Sequence, residues 1–123
     1  MKITNFSPLI ISPNPEEVIA VFEALGFERR HTKTNVDDRG ITSVRLKDSN
    51  GFAVDVSETT KLKQDLVSMK LNVDNFKEAY DFLVARGFKN IQGDHTVVGG
   101  ASESAMMVSP SGFSITISQH IKK

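Results

Sequence analysis

Two dipeptides return at one spacing. Gly26-Phe27 recurs as Gly87-Phe88, and Gly51-Phe52 recurs as Gly112-Phe113, each 61 residues later. The same offset pairs Ser7 with Ser68, Asn14 with Asn75, Glu17 with Glu78, Ala24 with Ala85, Ser43 with Ser104 and Ser57 with Ser118. Chance supplies a single Gly-Phe match easily. It does not supply two in one register with helix-start and strand residues between them. The chain therefore reads as two copies of one unit of about sixty residues, too long and too few for a solenoid.

Each copy has the same local pattern. Residues 6–12 and 67–73 are apolar runs suited to strands. Asn14-Pro15-Glu16-Glu17 then offers an N-cap, a proline for the first helical position and acids for the first turn. Val18, Val21, Phe22 and Leu25 fall on one helical face, and Gly26 closes the helix. In the second copy Asp74 or Asn75 caps, Phe76, Ala79, Tyr80 and Leu83 form the apolar face, and Gly87 closes. Three strands are predicted after each glycine, over 27–33, 41–47 and 52–57, then 88–94, 102–108 and 113–118. Loop 34–40 corresponds to loop 95–101. The unit is β-α-β-β-β. The expected organisation is one domain over 1–123, with modules 1–57 and 67–123 and a polar linker 58–66.

Composition narrows the function. Fifteen Lys and Arg balance fifteen Asp and Glu, so the general basic excess that grips nucleic acid or anionic membrane is missing. Arg29, Arg30, His31 and Lys33 are read as alternating charge that protects an edge strand. With no cysteine there is no disulfide, thiolate metal site or cysteine nucleophile. No apolar run reaches the ~20 residues that span a bilayer. The opening MKITNFSPLIIS reads as a first strand, not a signal peptide, and a cytoplasmic protein is expected. Gly99-Gly100 lacks the spacing of a phosphate loop and is assigned to a hairpin.

The motifs Ala24-Leu25-Gly26-Phe27 and Asp48-Ser49-Asn50-Gly51-Phe52 resemble those of the vicinal oxygen chelate superfamily. So do Ala85-Arg86-Gly87-Phe88 and Ser109-Pro110-Ser111-Gly112-Phe113 in the second copy. That superfamily includes glyoxalase I, extradiol dioxygenases, fosfomycin resistance enzymes and bleomycin resistance proteins. The resemblance covers nearly the whole chain. It implies an α+β fold of two tandem β-α-β-β-β modules, whose mostly antiparallel mixed sheet curls into a U around a cleft with the helices outside. It also implies a homodimer, the commonest oligomer.

Metal-dependent members carry His, Gln or Glu ligands early in the first strand and midway along the last strand of each module. The positions that correspond here are Ser7, Asp55, Ser68 and Thr116. Only Asp55 is a good ligand for a divalent cation; neutral hydroxyls are weak donors to transition metals. Their flanks, Phe6, Pro8, Val54, Val56, Val67, Met69, Ile115 and Ile117, offer no substitute. His31, His95 and His120 do not cluster in sequence and are read as surface or hydrogen-bonded. Neither metal nor other cofactor is expected.

Strand alternation predicts the cleft lining instead. Phe52, Val54 and Val56 should pack under the first helix, which turns Asp55 and Ser57 the other way. Phe113, Ile115 and Ile117 do the same for Thr116. Val67, Met69, Leu71 and Val73 are expected inside, with Ser68, Lys70 and Asn72 opposite. Val44 and Leu46 turn Arg45 outward, and Met106 takes the matching place in the second copy. Arg45, Asp55, Ser57, Lys70, Asn72, Met106 and Thr116 are thus the candidate ligand-binding residues. Arg45 and Lys70 suit a carboxylate or phosphate, and Asp55 suits an amine or an ion pair with one of them. The function expected is metal-independent binding of a polar or amphipathic small molecule, in the manner of bleomycin resistance proteins. The alternative is a glyoxalase- or dioxygenase-like enzyme with an atypical site. No nucleic acid or membrane partner is expected.

Overall fold

A computed structural model describes residues 1–36, 41–60, 62–91, 97–99 and 102–120. The elements are β1 (Ile3–Ser12), α1 (Pro15–Ala24), β2 (Glu28–Val36), β3 (Ile41–Lys47), β4 (Ala53–Glu58), β5 (Leu66–Val73), α2 (Phe76–Val84), β6 (Lys89–Asn90), β7 (Val97–Gly99), β8 (Ser102–Val108) and β9 (Ser114–His120). The fold class is α+β. The chain forms two compact units, one of Ser7–Val67 and one that joins Met1–Phe6 to the residues from Ser68 onward.

In the first unit the strands run in the order β2-β3-β4-β1. β1 is parallel to β4, and the other neighbours are antiparallel. In the second unit the order is β5-β9-β8-β6, with β7 also on β8. There β5 is parallel to β9. The registers agree residue for residue at the offset of 61. Leu9 pairs with Asp55 as Lys70 pairs with Thr116. Arg45 faces Asp55 as Met106 faces Thr116.

Each helix is started and stopped by local chemistry. Asn75 Oδ1 accepts the Glu78 N–H at 3.0 Å, and Gln119 Oε1 accepts that of Phe76 at 2.6 Å. Asn14 stands at the start of α1 but its side chain caps nothing; the Ser12 hydroxyl accepts the Asn14 N–H instead. At the other end Phe27 N–H reaches Phe22 O and Gly26 N–H reaches Glu23 O, the pair of bonds of a Schellman motif. Phe88 and Gly87 repeat it on Leu83 and Val84. The geometry needs a left-handed residue, and Gly26 and Gly87 supply it with φ of 104° and 90°. Phe27 then meets Phe22 edge to face with centroids 5.3 Å apart, and Phe88 meets Phe113 at the same distance. This is why Gly-Phe recurs.

Two separate cores result. In the first unit Ile19, Val44, Leu46, Val54 and Val56 are buried, with Ile10, Val18, Phe22 and Phe27 against them. In the second, Val73, Phe76, Ala79, Leu83, Ala105, Met107 and Ile117 are buried, with Leu71, Tyr80, Phe88 and Ile115 against them. Several expectations need correction. Ile19, not Val21 or Leu25, anchors α1; the latter two are 58% and 67% exposed. A stripe through Val18, Ile19 and Phe22 meets the sheet, and the apparent heptad places Val21 and Leu25 one step too far round. Phe52 and Phe113 follow the left-handed Gly51 and Gly112, precede the strands, and are mostly exposed. Val67 and Met69 are exposed as well, because α2 covers only the Leu71–Val73 end of β5. Of the predicted strand 88–94, Lys89–Asn90 forms β6, and residues 92–94 fall outside the described residues. Gly99 lies in β7, part of what was expected to be loop; Gly100 and His95 fall outside the described residues. Between modules, Ser12 holds the connector through Asp65 and through its carbonyl to Thr59 N–H.

The two helix-closing glycines differ in one respect. A Cβ on Gly87 would lie 2.9 Å from Pro110 Cγ, whereas one on Gly26 would meet nothing within 4 Å. Alanine at either site adds backbone strain of roughly 1–2 kcal/mol. Gly87→Ala should cost about 1 kcal/mol more than Gly26→Ala in chemical denaturation. Adding Pro110→Ala should remove that excess. Equal costs for the two glycine substitutions would refute the packing role of Pro110.

Candidate functional site

The faces opposite the helices carry the polar residues. In the first unit Asp55 is 3% exposed in the middle of β4, a position that only a paired carboxylate tolerates. Ser7 Oγ donates to Asp55 Oδ2 at 2.6 Å. Arg45 Nη1 donates to Oδ2 at 2.9 Å and to Oδ1 at 3.1 Å. Of the two readings open for Asp55, the structure realises the ion pair with Arg45. The pair depends on β3 and β4 staying in step from Ser43↔Ser57 to Lys47↔Ala53. The strand irregularities lie one strand away, where β2 shifts against β3 between Arg29 and His31 and again between Lys33 and Val36. Absorbing them in β2 leaves Arg45 on the face of Asp55.

Arg45 uses Nη1 alone for this contact, and its side chain is 22% exposed. Nε and Nη2 therefore present a planar pair of donors beyond the ion pair. Ser57, half-buried, follows Asp55 on the same strand face.

The second unit has hydroxyls where the first has charge. Ser68 Oγ lies 2.7 Å from both Ser114 Oγ and Thr116 Oγ1. All three residues are buried. Lys70 and Thr116 are register partners, as are Asn72 and Ser118, and Met106 faces Thr116 from β8. Of the neighbouring methionines, Met107 belongs to the core and Met106 is only half-buried. The candidates thus fall into two constellations: Arg45, Asp55 and Ser57 in one unit, and Lys70, Asn72, Met106 and Thr116 in the other. Ser114 was not among them. Its proximity to Ser68 follows from the parallel β5–β9 pairing, which the sequence pattern does not specify.

The metal set of the resembling superfamily does not fit these residues. Asp55 already has both oxygens engaged by a guanidinium and a hydroxyl, and a cation there would have to displace Arg45. Ser68 and Thr116 are neutral hydroxyls bonded to one another. Among the described residues no three His, Cys, Asp or Glu side chains are gathered to hold an ion. His31 is exposed on β2, and His120 ends β9. In the basic stretch the hydrogen bond to Glu16 holds the Arg29 guanidinium's pKa above its ordinary value. Arg29 serves to tie β2 to α1, through Glu16 and Glu23.

No family model matches the chain, and no curated protein matches it. Solved structures do. A methylmalonyl-CoA epimerase from Mycobacterium tuberculosis superposes with a TM-score of 0.71 at 14% identity, covering 98% of this chain and 90% of that one. A Streptomyces coelicolor methylmalonyl-CoA epimerase variant, in complex with 2-nitronate-propionyl-CoA, gives 0.68 at 16% identity, covering 98% and 100%. A glyoxalase/bleomycin resistance protein/dioxygenase superfamily member from Vibrio splendidus 12B01 gives 0.60 at 15% identity, covering 94% and 97%. With β-α-β-β-β order in the first unit, the same order with the short β7 added in the second, and this likeness over nearly all of its length, the chain has the vicinal oxygen chelate fold.

Proposed function

We propose that the protein binds a small molecule bearing a carboxylate or phosphate, that Arg45 is the anchor, and that no metal takes part. The observation that carries the proposal is the half-used guanidinium. Asp55, itself held by the Ser7 hydroxyl, accepts from Nη1 through both oxygens, while Nε and Nη2 remain for a bidentate anion. Neighbours of the same fold support a small-molecule role, since one is described with a CoA derivative bound. The shared offset of 61 supports reading the chain as two copies of one module, about 1–57 and 67–123, within a single domain.

The comparisons also favour a second reading. Several neighbours are epimerases, so a catalyst with an atypical site is the competing account. There Arg45 would stabilise negative charge developing on substrate. Asp55 is poorly placed as a base, because both its oxygens already accept hydrogen bonds.

We further infer a homodimer working in the cytoplasm. Ile3, Phe6 and Met69 of the second unit are 58%, 60% and 46% exposed, apolar side chains that a second copy would cover. No helix among the described residues is long and apolar enough to cross a membrane. Sedimentation should give twice the chain mass at micromolar concentration; a monomer mass would end the dimer proposal.

Calorimetric titration separates the binding accounts. Acetate and inorganic phosphate should bind the wild type weakly but measurably. Arg45→Gln should weaken them about tenfold to a hundredfold, the worth of a charge-assisted hydrogen bond. Zinc, manganese and nickel should give no stoichiometric binding. One tightly held metal per chain, lost in Asp55→Ala, would contradict the proposal. Turnover of an acyl-CoA by the wild type, abolished in Arg45→Gln, would establish the catalytic reading in its place.

A further inference from the structure

One polar atom in the second unit is unaccounted for. Asn72 Oδ1 is buried and has no hydrogen-bond partner. Asn72 lies on β5 two residues beyond Lys70 and four beyond Ser68, on the same strand face, with Ser118 as register partner. The nearby hydroxyls do not supply the missing donor. Ser68 bonds to Ser114 and to Thr116, and no hydroxyl reaches Asn72 Oδ1. Buried acceptors are paired in nearly all native structures, so an unpaired one asks for a reason.

The fold itself does not require an amide there. At the corresponding place in the first unit Ile11 pairs with Ser57, as Asn72 pairs with Ser118. An isoleucine suits a β-strand and buries without penalty; an asparagine does neither. The polar residue thus replaces a cheaper one at a position where the architecture accepts the cheaper one.

We infer that Asn72 is a specificity-determining acceptor, which receives an N–H or O–H from a neutral group on the bound molecule, a hydroxyl or an unsubstituted amide. The inference rests on the reading that the protein binds a small molecule, but not on Arg45. The ligand class recognised by the second unit is thereby narrowed to molecules carrying a neutral hydrogen-bond donor. A ligand without the donor leaves Oδ1 buried and unpaired, which is a strong basis for rejection.

The test uses two probes that differ only in donor capacity. Acetamide carries N–H groups, and N,N-dimethylacetamide carries none. In nitrogen-15 NMR of the whole protein, acetamide should shift the Asn72 side-chain amide saturably, and dimethylacetamide should not. Asn72→Leu should weaken the acetamide response on neighbouring backbone amides by about tenfold. It should also raise the melting temperature of the free protein by about 3 °C, since it removes the unpaired acceptor. Arg45→Gln should leave the acetamide response intact. Equal responses to the two probes, no acetamide response, or a lower melting temperature in Asn72→Leu would each overturn the inference. If Asn72→Leu does not fold, the contrast between probes on the wild type decides alone. Loss of the acetamide response with acetate still binding at Arg45 removes this inference and spares the parent reading. Failure of acetamide and of acetate alike removes both.

Discussion

A carboxylate in the middle of a strand, 3% exposed, is the demand around which the first unit is arranged. Burying Asp55 unpaired would cost several kcal/mol, and replacing only one member of a buried pair typically costs about 3–5 kcal/mol. Two elements far apart in sequence meet that demand. β1 brings Ser7 and β3 brings Arg45, and both arrive because β4 is paired on its two sides, parallel to one and antiparallel to the other. The ion pair is not a source of great stability in itself, since desolvation offsets most of its Coulomb gain. Its consequence is orientation. A guanidinium pinned at one nitrogen has its remaining donors aimed.

The second unit solves the same geometric problem without charge. Thr116 stands in the register position of Asp55, Ser68 in that of Ser7 and Met106 in that of Arg45. Hydroxyls bonded to one another need no counter-ion, so the cation opposite them is dispensable and methionine takes its place. One backbone ladder therefore supports a buried ion pair in one unit and a buried hydroxyl cluster in the other. Fold and site are separate properties here. The pairing pattern is common to both units, and the side chains decide the chemistry.

Much of the architecture was legible because it is written twice. The Gly-Phe pairs mark helix ends through the Schellman geometry and the Phe22–Phe27 contact, and their spacing sets the module length. Parity placed Arg45 and Asp55 on one face correctly, since alternation is rigid where β3 and β4 run without a bulge. Parity failed for Val67, Met69, Phe52 and Phe113. Burial needs a covering element as well as the right face, and α2 does not reach the first residues of β5. The helical pattern of α1 misled for a related reason: Val21 and Leu25 fit the period, but Ile19 meets the sheet. The Ser68–Ser114–Thr116 cluster and the unpaired Asn72 oxygen were invisible, because side-chain hydrogen bonding depends on distances that no residue spacing encodes.

The central claim is that Arg45 supplies the positive charge for Asp55 and leaves the site open to an anion instead of a metal. Anomalous diffraction from crystals soaked with sodium bromide, and separately with zinc, tests this most directly. The account predicts a bromide peak within hydrogen-bond distance of Arg45 Nε and Nη2, with the Asp55 contact intact and no zinc on its carboxylate. A zinc peak on Asp55 with Arg45 swung away, and no bromide beside the guanidinium, would contradict it.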